Sequence, residues 1–173
     1  MSARVVVITG TDTEVGKTHI GCALVRQLRM NGVRVRAVKP AESGHIGMPT
    51  ASEDGVRLAL AAGQKEPAHA LQRLQMAVAP PVAADVEGVE LEFEAWMQEC
   101  EALAAECGVL VVEGAGGLMS PLTWEHSVLD VAARLNASLL VVSADRLGVL
   151  NHTLLTLEVA ASHGVEVLGV VLN

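Results

Sequence analysis

The stretch "GTDTEVGKT", Gly10–Thr18, decides how this chain folds. It joins an aliphatic run, "RVVVIT" (Arg4–Thr9), to a segment with helical spacing of apolar residues, Thr18–Met30. Strand, glycine loop and helix in that order are the context in which Gly-Lys-Thr binds phosphate. Loop amides and the helix N-terminus converge on one point, where the helix dipole favours an anion. Lys17 can reach β- and γ-phosphate oxygens, and the Thr18 hydroxyl suits Mg2+. The common pattern, Gly-x4-Gly-Lys-Ser/Thr, requires glycine at position 11, where this chain has Thr11. The glycine stands one place earlier, at Gly10. The loop is therefore one residue longer, and no phosphate-binding group is lost.

Further strand-like runs follow at Arg34–Val38, Val109–Val112, Leu139–Ser143 and Val165–Leu172. Helical spacing recurs at Glu53–Ala62, Glu92–Glu106, Ser127–Leu135 and Leu150–His163. This alternation predicts an α/β fold of P-loop type, a mostly parallel central sheet flanked by helices. Residues 1–173 read as a single domain, with breaks at "APPVAA" (Pro80–Ala84 with its preceding alanine) and around Gly44–Pro49. Hydrophobic residues make up 51% and aromatics 2%, so the core must be aliphatic, as buried parallel strands require.

The net charge of −8 argues against a nucleic-acid or anionic-membrane partner, both of which want a basic face. No run has the length of a membrane span, and the N-terminus lacks the pattern of a signal peptide. Cys22, Cys100 and Cys107 have no metal-ligand spacing and read as reduced thiols of a cytoplasmic protein. The six histidines are scattered, which argues against zinc.

A phosphate loop needs a second anchor for its metal at the end of another strand. "GVLVVEGAGG" offers Glu113 there, followed by glycines that let a ligand approach the backbone closely. Asp54, opening a helix in "SEDGVRLAL", is a weaker candidate, because acids favour a first helical turn for dipole reasons alone. Lys39, in "AVKPAESG", emerges at a strand end beside the loop, where it can offset charge during phosphoryl transfer. Ser43 and Gly44 expose a hydroxyl and backbone amides nearby.

Together, "TGTDTEVGKT", "KPAESG", "VEGAGGLMSPL" and "SADRLGVLNHTLLTLEVAASHGV" resemble the dethiobiotin synthetase family in order and spacing across essentially the whole chain. The displaced Gly10 is itself the family form. The resemblance implies a cytoplasmic ligase of biotin biosynthesis acting on 7,8-diaminononanoate, CO2 or bicarbonate, and ATP with Mg2+. It implies catalytic roles for Lys39, Lys17 and Glu14. Nucleotide would lie against Glu14, Val15, Gly16, Lys17, Thr18 and His19, and against Asp54, Glu113, Gly114, Ala115, Gly116 and Asn173. Thr18, Asp54 and Glu113 match the metal ligands. Thr13, Lys39, Ser43 and Gly117 match residues around the diamine and its carbamate. Leu147, Gly148, Val149, Leu150 and Asn151 open a helix whose free amides would hold the substrate carboxylate across a homodimer interface.

Family members continue past the position of Asn173, so groups around adenine and ribose are expected to be missing here. A shortened homologue that binds nucleotide without turnover is one rival reading. A partition or septum-site ATPase is another, but those carry lysine where this chain has Thr11, and they use basic or amphipathic surfaces. A cobyrinate-type amidoligase is a third, normally fused to an amidotransferase whose Cys-His pair is absent from this sequence.

Overall fold

The computed structural model describes residues 3–173. In chain order, β1 (Arg4–Gly10) leads into α1 (Lys17–Met30), then β2 (Val35–Val38), β3 (Ala41–Ser43) and α2 (Asp54–Ala62). β4 (Gln72–Leu74), α3 (Pro80–Glu87), α4 (Phe93–Ala105) and β5 (Val109–Gly117) follow. α5 (Val128–Arg134), β6 (Ser138–Ser143), α6 (Val149–Ser162) and β7 (Val167–Leu172) complete the described chain. The main sheet is parallel in the order β2-β5-β1-β6-β7, which sets the phosphate-loop strand at its centre.

Alternate residues of each central strand enter opposite cores, as the period-2 pleat dictates. Val7, Val112, Leu139 and Val141 pack toward α4 and α5. Ile8, Val111 and Val142 pack toward Cys22 and Val25 of α1 and Leu58 of α2. All three cysteines are buried free thiols. Among the described residues, no helix is long and apolar enough to cross a membrane.

Two local readings of the sequence need correction. The segment from Pro80 is not a break but the start of α3, with Pro80 and Pro81 in the first turn. Proline is at home there, because the first helical amides have no partner within the helix. The strand ending at Val112 in the sequence reading runs on through Glu113 to Gly117. β1 advances from Ile8 to Gly10 while β5 runs from Glu113 to Gly117, so β5 bulges beside the phosphate loop.

The structure adds a second, two-stranded parallel sheet of β3 and β4, in which Glu42 lies opposite Arg73. The pairing extends backwards, since Leu71 and Gln72 donate their amides to the carbonyls of Lys39 and Pro40 at 3.0 and 2.9 Å. This small sheet therefore fixes the backbone of Lys39 and borders the N-terminus of α2. There, Gly55 approaches the chain so closely that a Cβ would run into the backbone nitrogen of Ala70. Backbone cannot yield as a flexible side chain can. Gly55→Ala is expected to destabilise the fold by about 1–3 kcal/mol, read as a lower urea midpoint at unchanged slope.

Candidate active site

The loop after β1 closes on Gly16, whose φ of 93° is open to glycine at little cost. Val15 is buried in the core beneath the loop and anchors it. α1 starts without a side-chain cap and without an acidic residue in its first turn. Its N-terminal amides are thus left available to an anion. Lys17 folds back over the loop and donates to the Asp12 carbonyl at 3.0 Å. Burial lowers its pKa, although Glu113 partly opposes this.

Facing the loop is a cluster of charge in which Lys39 and Glu113 are buried and Asp54 is half-buried. Lys39 Nζ donates to Asp54 Oδ2 at 2.6 Å and to Glu113 Oε1 at 2.7 Å. Thr18 Oγ1 donates to the same Glu113 oxygen at 2.8 Å. Burial alone would depress the Lys39 pKa, but the carboxylates of Glu113 and Asp54 outweigh it and raise it. Burial pushes the fully buried Glu113 carboxyl up, and Lys39 opposes that rise. Burial also works against ionisation of Asp54, yet the Lys39 charge holds its carboxyl below the usual range. Lys39 is thus fixed as an ammonium, and Asp54 as a carboxylate.

The cluster opens into a cleft of about 720 Å³ at the carboxyl ends of the central strands. The loop contributes Thr13, Glu14, Gly16, Lys17, Thr18 and His19 to its wall. Lys39, Ser43 and Asp54 line it from the second side, and Glu113, Ala115 and Gly116 from the third.

Residues 4–173 match a family model described as an AAA domain. The chain is 44% identical to the ATP-dependent dethiobiotin synthetase BioD of Anaeromyxobacter dehalogenans strain 2CP-C, across 96% of this chain and 74% of the relative. It is 39% identical to the protein of the same name from Caulobacter sp. strain K31, with the same coverage. The chain belongs to the ATP-dependent dethiobiotin synthetase family. A crystal structure of a ParA family ATPase from Chlorobium tepidum TLS superposes with TM-score 0.60, covering 99% of this chain and 74% of that one. At 15% identity the likeness is one of fold alone.

Not every residue expected from the synthetase resemblance lines the cleft. Val15 and Gly114 are buried below it, the latter against Val128. Gly117 lies just outside the wall, where its amide donates to Ser120 Oγ at 2.8 Å. Asn173 is exposed and lies against the loop at Gly16, its Nδ2 donating to the Val15 carbonyl at 3.1 Å. Leu147–Asn151 lie outside the lining, at the exposed start of α6. The loop before α6 does reach the phosphate loop, through an ion pair of Arg146 with Asp12 at 2.8 Å.

The cleft also includes Glu42, His45, Arg57, Ser120 and Pro121, which the sequence reading did not single out. Glu42 sits within the quoted "KPAESG" stretch, so an acid flanked by Lys39 and Ser43 was a signal available there. Ser120 and Pro121 likewise belong to "VEGAGGLMSPL".

The residues present fit a hard divalent cation. Thr18, Asp54 and Glu113 offer oxygen donors only, as Mg2+ prefers. Glu113 Oε2 is buried without a hydrogen-bond partner. The two carboxylates and the hydroxyl would hold the ion and leave room for water and phosphate oxygens, which suits Mg2+.

Removing Lys39 alone strands a buried carboxylate. Lys39→Met is expected to cost about 3–5 kcal/mol in urea unfolding. Adding Glu113→Gln removes the orphaned charge, so the double variant should lose less than the sum of the single losses. Additive losses would mean that the two side chains do not act as a pair.

Proposed function

We propose that the chain converts 7,8-diaminononanoate, CO2 and ATP into dethiobiotin, ADP and phosphate. The observation that carries this reading is the buried Lys39 ammonium, held between Asp54 and Glu113 opposite the phosphate loop in a chain of this family. One substrate amine adds to CO2 and loses a proton, giving a carbamate. A carbamate oxygen then attacks the γ-phosphorus, and ADP leaves. The second amine attacks the carbonyl carbon of the resulting carbamic-phosphoric anhydride. Phosphate departs, a proton is lost, and a cyclic urea remains.

The protein's contribution is positioning and charge. Lys17 and Lys39 stabilise the carbamate and the transferring phosphoryl group, and the α1 amides hold the phosphate chain. Mg2+, held by Thr18, Asp54 and Glu113, would neutralise phosphate charge. Glu14 faces the same cleft, near the metal and the diamine. Thr13 and Gly117 flank the diamine with Ser43, whose buried hydroxyl has no hydrogen-bond partner and lines the cleft. Ala115 and Gly116 would follow the nucleotide from the cleft wall with Gly114 buried beneath them, and Asn173 would stand nearest the base.

The substrate carboxylate would be held by the α6 N-terminus, Leu147–Asn151, of a second subunit. The exposed Leu147, Leu150, Leu154 and Leu155 support this reading, as an apolar stripe suited to an isologous interface.

Phosphate release from ATP, Mg2+ and bicarbonate should require the diamine. Release without it would favour a switch ATPase, and nucleotide binding without turnover an inactive homologue. Lys39→Ala should lower kcat by roughly 10²–10³ with little change in ATP affinity, and an equal loss of both would refute its catalytic role. Mixing Lys39→Ala subunits with subunits altered at Asn151 should restore part of the activity, because a heterodimer retains one intact site. No recovery would count against a shared site.

A further inference from the structure

The N-terminus of α2 is capped from a distance. Its own N-cap residue, Glu53, makes no side-chain cap. The Glu53 carboxylate is turned aside, accepting from Arg73 Nε at 2.7 Å, Arg73 Nη2 at 2.8 Å and the Thr50 amide at 2.8 Å. The cap comes instead from Glu42 on β3, a buried carboxylate 12 residues upstream of Asp54. Its Oε1 accepts from the Asp54 amide at 2.6 Å and its Oε2 from the Gly55 amide at 2.9 Å. His45 Nε2 lies 2.8 Å from Oε1.

A carboxylate on the first amides of a helix satisfies donors that the helix cannot, and it complements the dipole. Here one of those amides belongs to the residue whose side chain bonds Lys39. Both strands of the small sheet grip this point, Glu42 from β3 and Arg73 from β4. Yet among the described residues only Glu42 touches the amide of Asp54 itself.

We propose that Glu42 is a positioning residue whose carboxylate, by holding the Asp54 and Gly55 amides, sets the Asp54 carboxylate in register with Thr18 and Glu113 for a shared divalent cation. The inference rests on the proposed reading of those three residues as cation ligands. Without Glu42, two amides at the start of α2 lose their acceptor, and the first turn is free to shift with Asp54 on it. Glutamine keeps the shape but presents an NH2 group to one of the amides, so one hydrogen bond becomes a donor–donor conflict. Aspartate keeps the charge on a shorter arm.

The test uses Mn2+ with ADP as the probe, titrated by calorimetry and by the electron paramagnetic resonance signal of free Mn2+, with no diamine present. Glu42→Gln should weaken Mn2+ binding about 10- to 100-fold, with ADP affinity in the absence of metal nearly unchanged. It should lower kcat while leaving KM for the diamine in place, and Glu42→Asp should recover part of both losses. Wild-type Mn2+ affinity in folded Glu42→Gln would overturn the proposal. So would a loss of stability, seen in both variants, whose folded fraction binds Mn2+ normally. Asp54→Asn separates this inference from the reading beneath it. If Asp54→Asn loses Mn2+ and Glu42→Gln does not, only the role of Glu42 fails. If Asp54→Asn binds Mn2+ like the wild type, the ligand assignment fails and takes the role of Glu42 with it.

Discussion

The ammonium of Lys39, held 2.6 Å from Asp54 and 2.7 Å from Glu113, is the contact around which the site is arranged. Burying the Lys39 and Glu113 charges is costly unless each is paired and hydrogen-bonded, and half-buried Asp54 completes the pairing. That requirement reaches into every layer of the fold. Glu113 must arrive on a central strand whose backbone bonds are already satisfied. Asp54 must sit at a helix start that will not fray, and Lys39 must leave its strand with a fixed backbone. The main sheet meets the first condition. The small sheet meets the other two, through the amides of Leu71 and Gln72 and the carboxylate of Glu42.

The parts that read directly from the sequence were those governed by local periodicity. Val5–Ile8, Leu110–Val112 and Leu139–Val142 are aliphatic runs with one stable use in an α/β domain. The phosphate loop announced itself through its glycines and Lys17, and the family through Gly10, Lys39 and Glu113. What stayed hidden was non-local. β3 and β4 are three residues each, too short to show a period, and exist because each finds the other. The cap on α2 was invisible because Glu42 lies on another element, while Glu53, in the expected place, is engaged by Arg73. Pro80 and Pro81 read as a break in the sequence, though proline opens a helix as readily as it ends one.

The likeness in fold to a ParA family ATPase shows how little the architecture alone decides. A parallel sheet with a phosphate loop at its centre serves many chemistries. The distinction here lies in a few side chains at the strand ends. It also lies in Lys39, between the two sheets, and Ser43, at the end of β3, both of which line the cleft.

A chain with a net charge of −8 must nevertheless attract a polyanion. It does so by local field rather than overall charge. Backbone amides at the start of α1 contribute partial positive charge without any acid in that turn to offset it. Lys17 and Lys39 add two full charges within a largely buried setting, where interactions are screened far less than at the surface. Glu113 and Asp54 then offset the two lysines, so these four side chains together carry no net charge where they line the cleft. Neutrality there has a functional reading. An uncompensated pair of lysines would hold any phosphate tightly, product included, whereas a balanced floor lets binding strength depend on the cation that arrives with the nucleotide. The carboxylates that make Lys39 tolerable in the fold are therefore the same ones that would make the site selective for a metal-bound nucleotide.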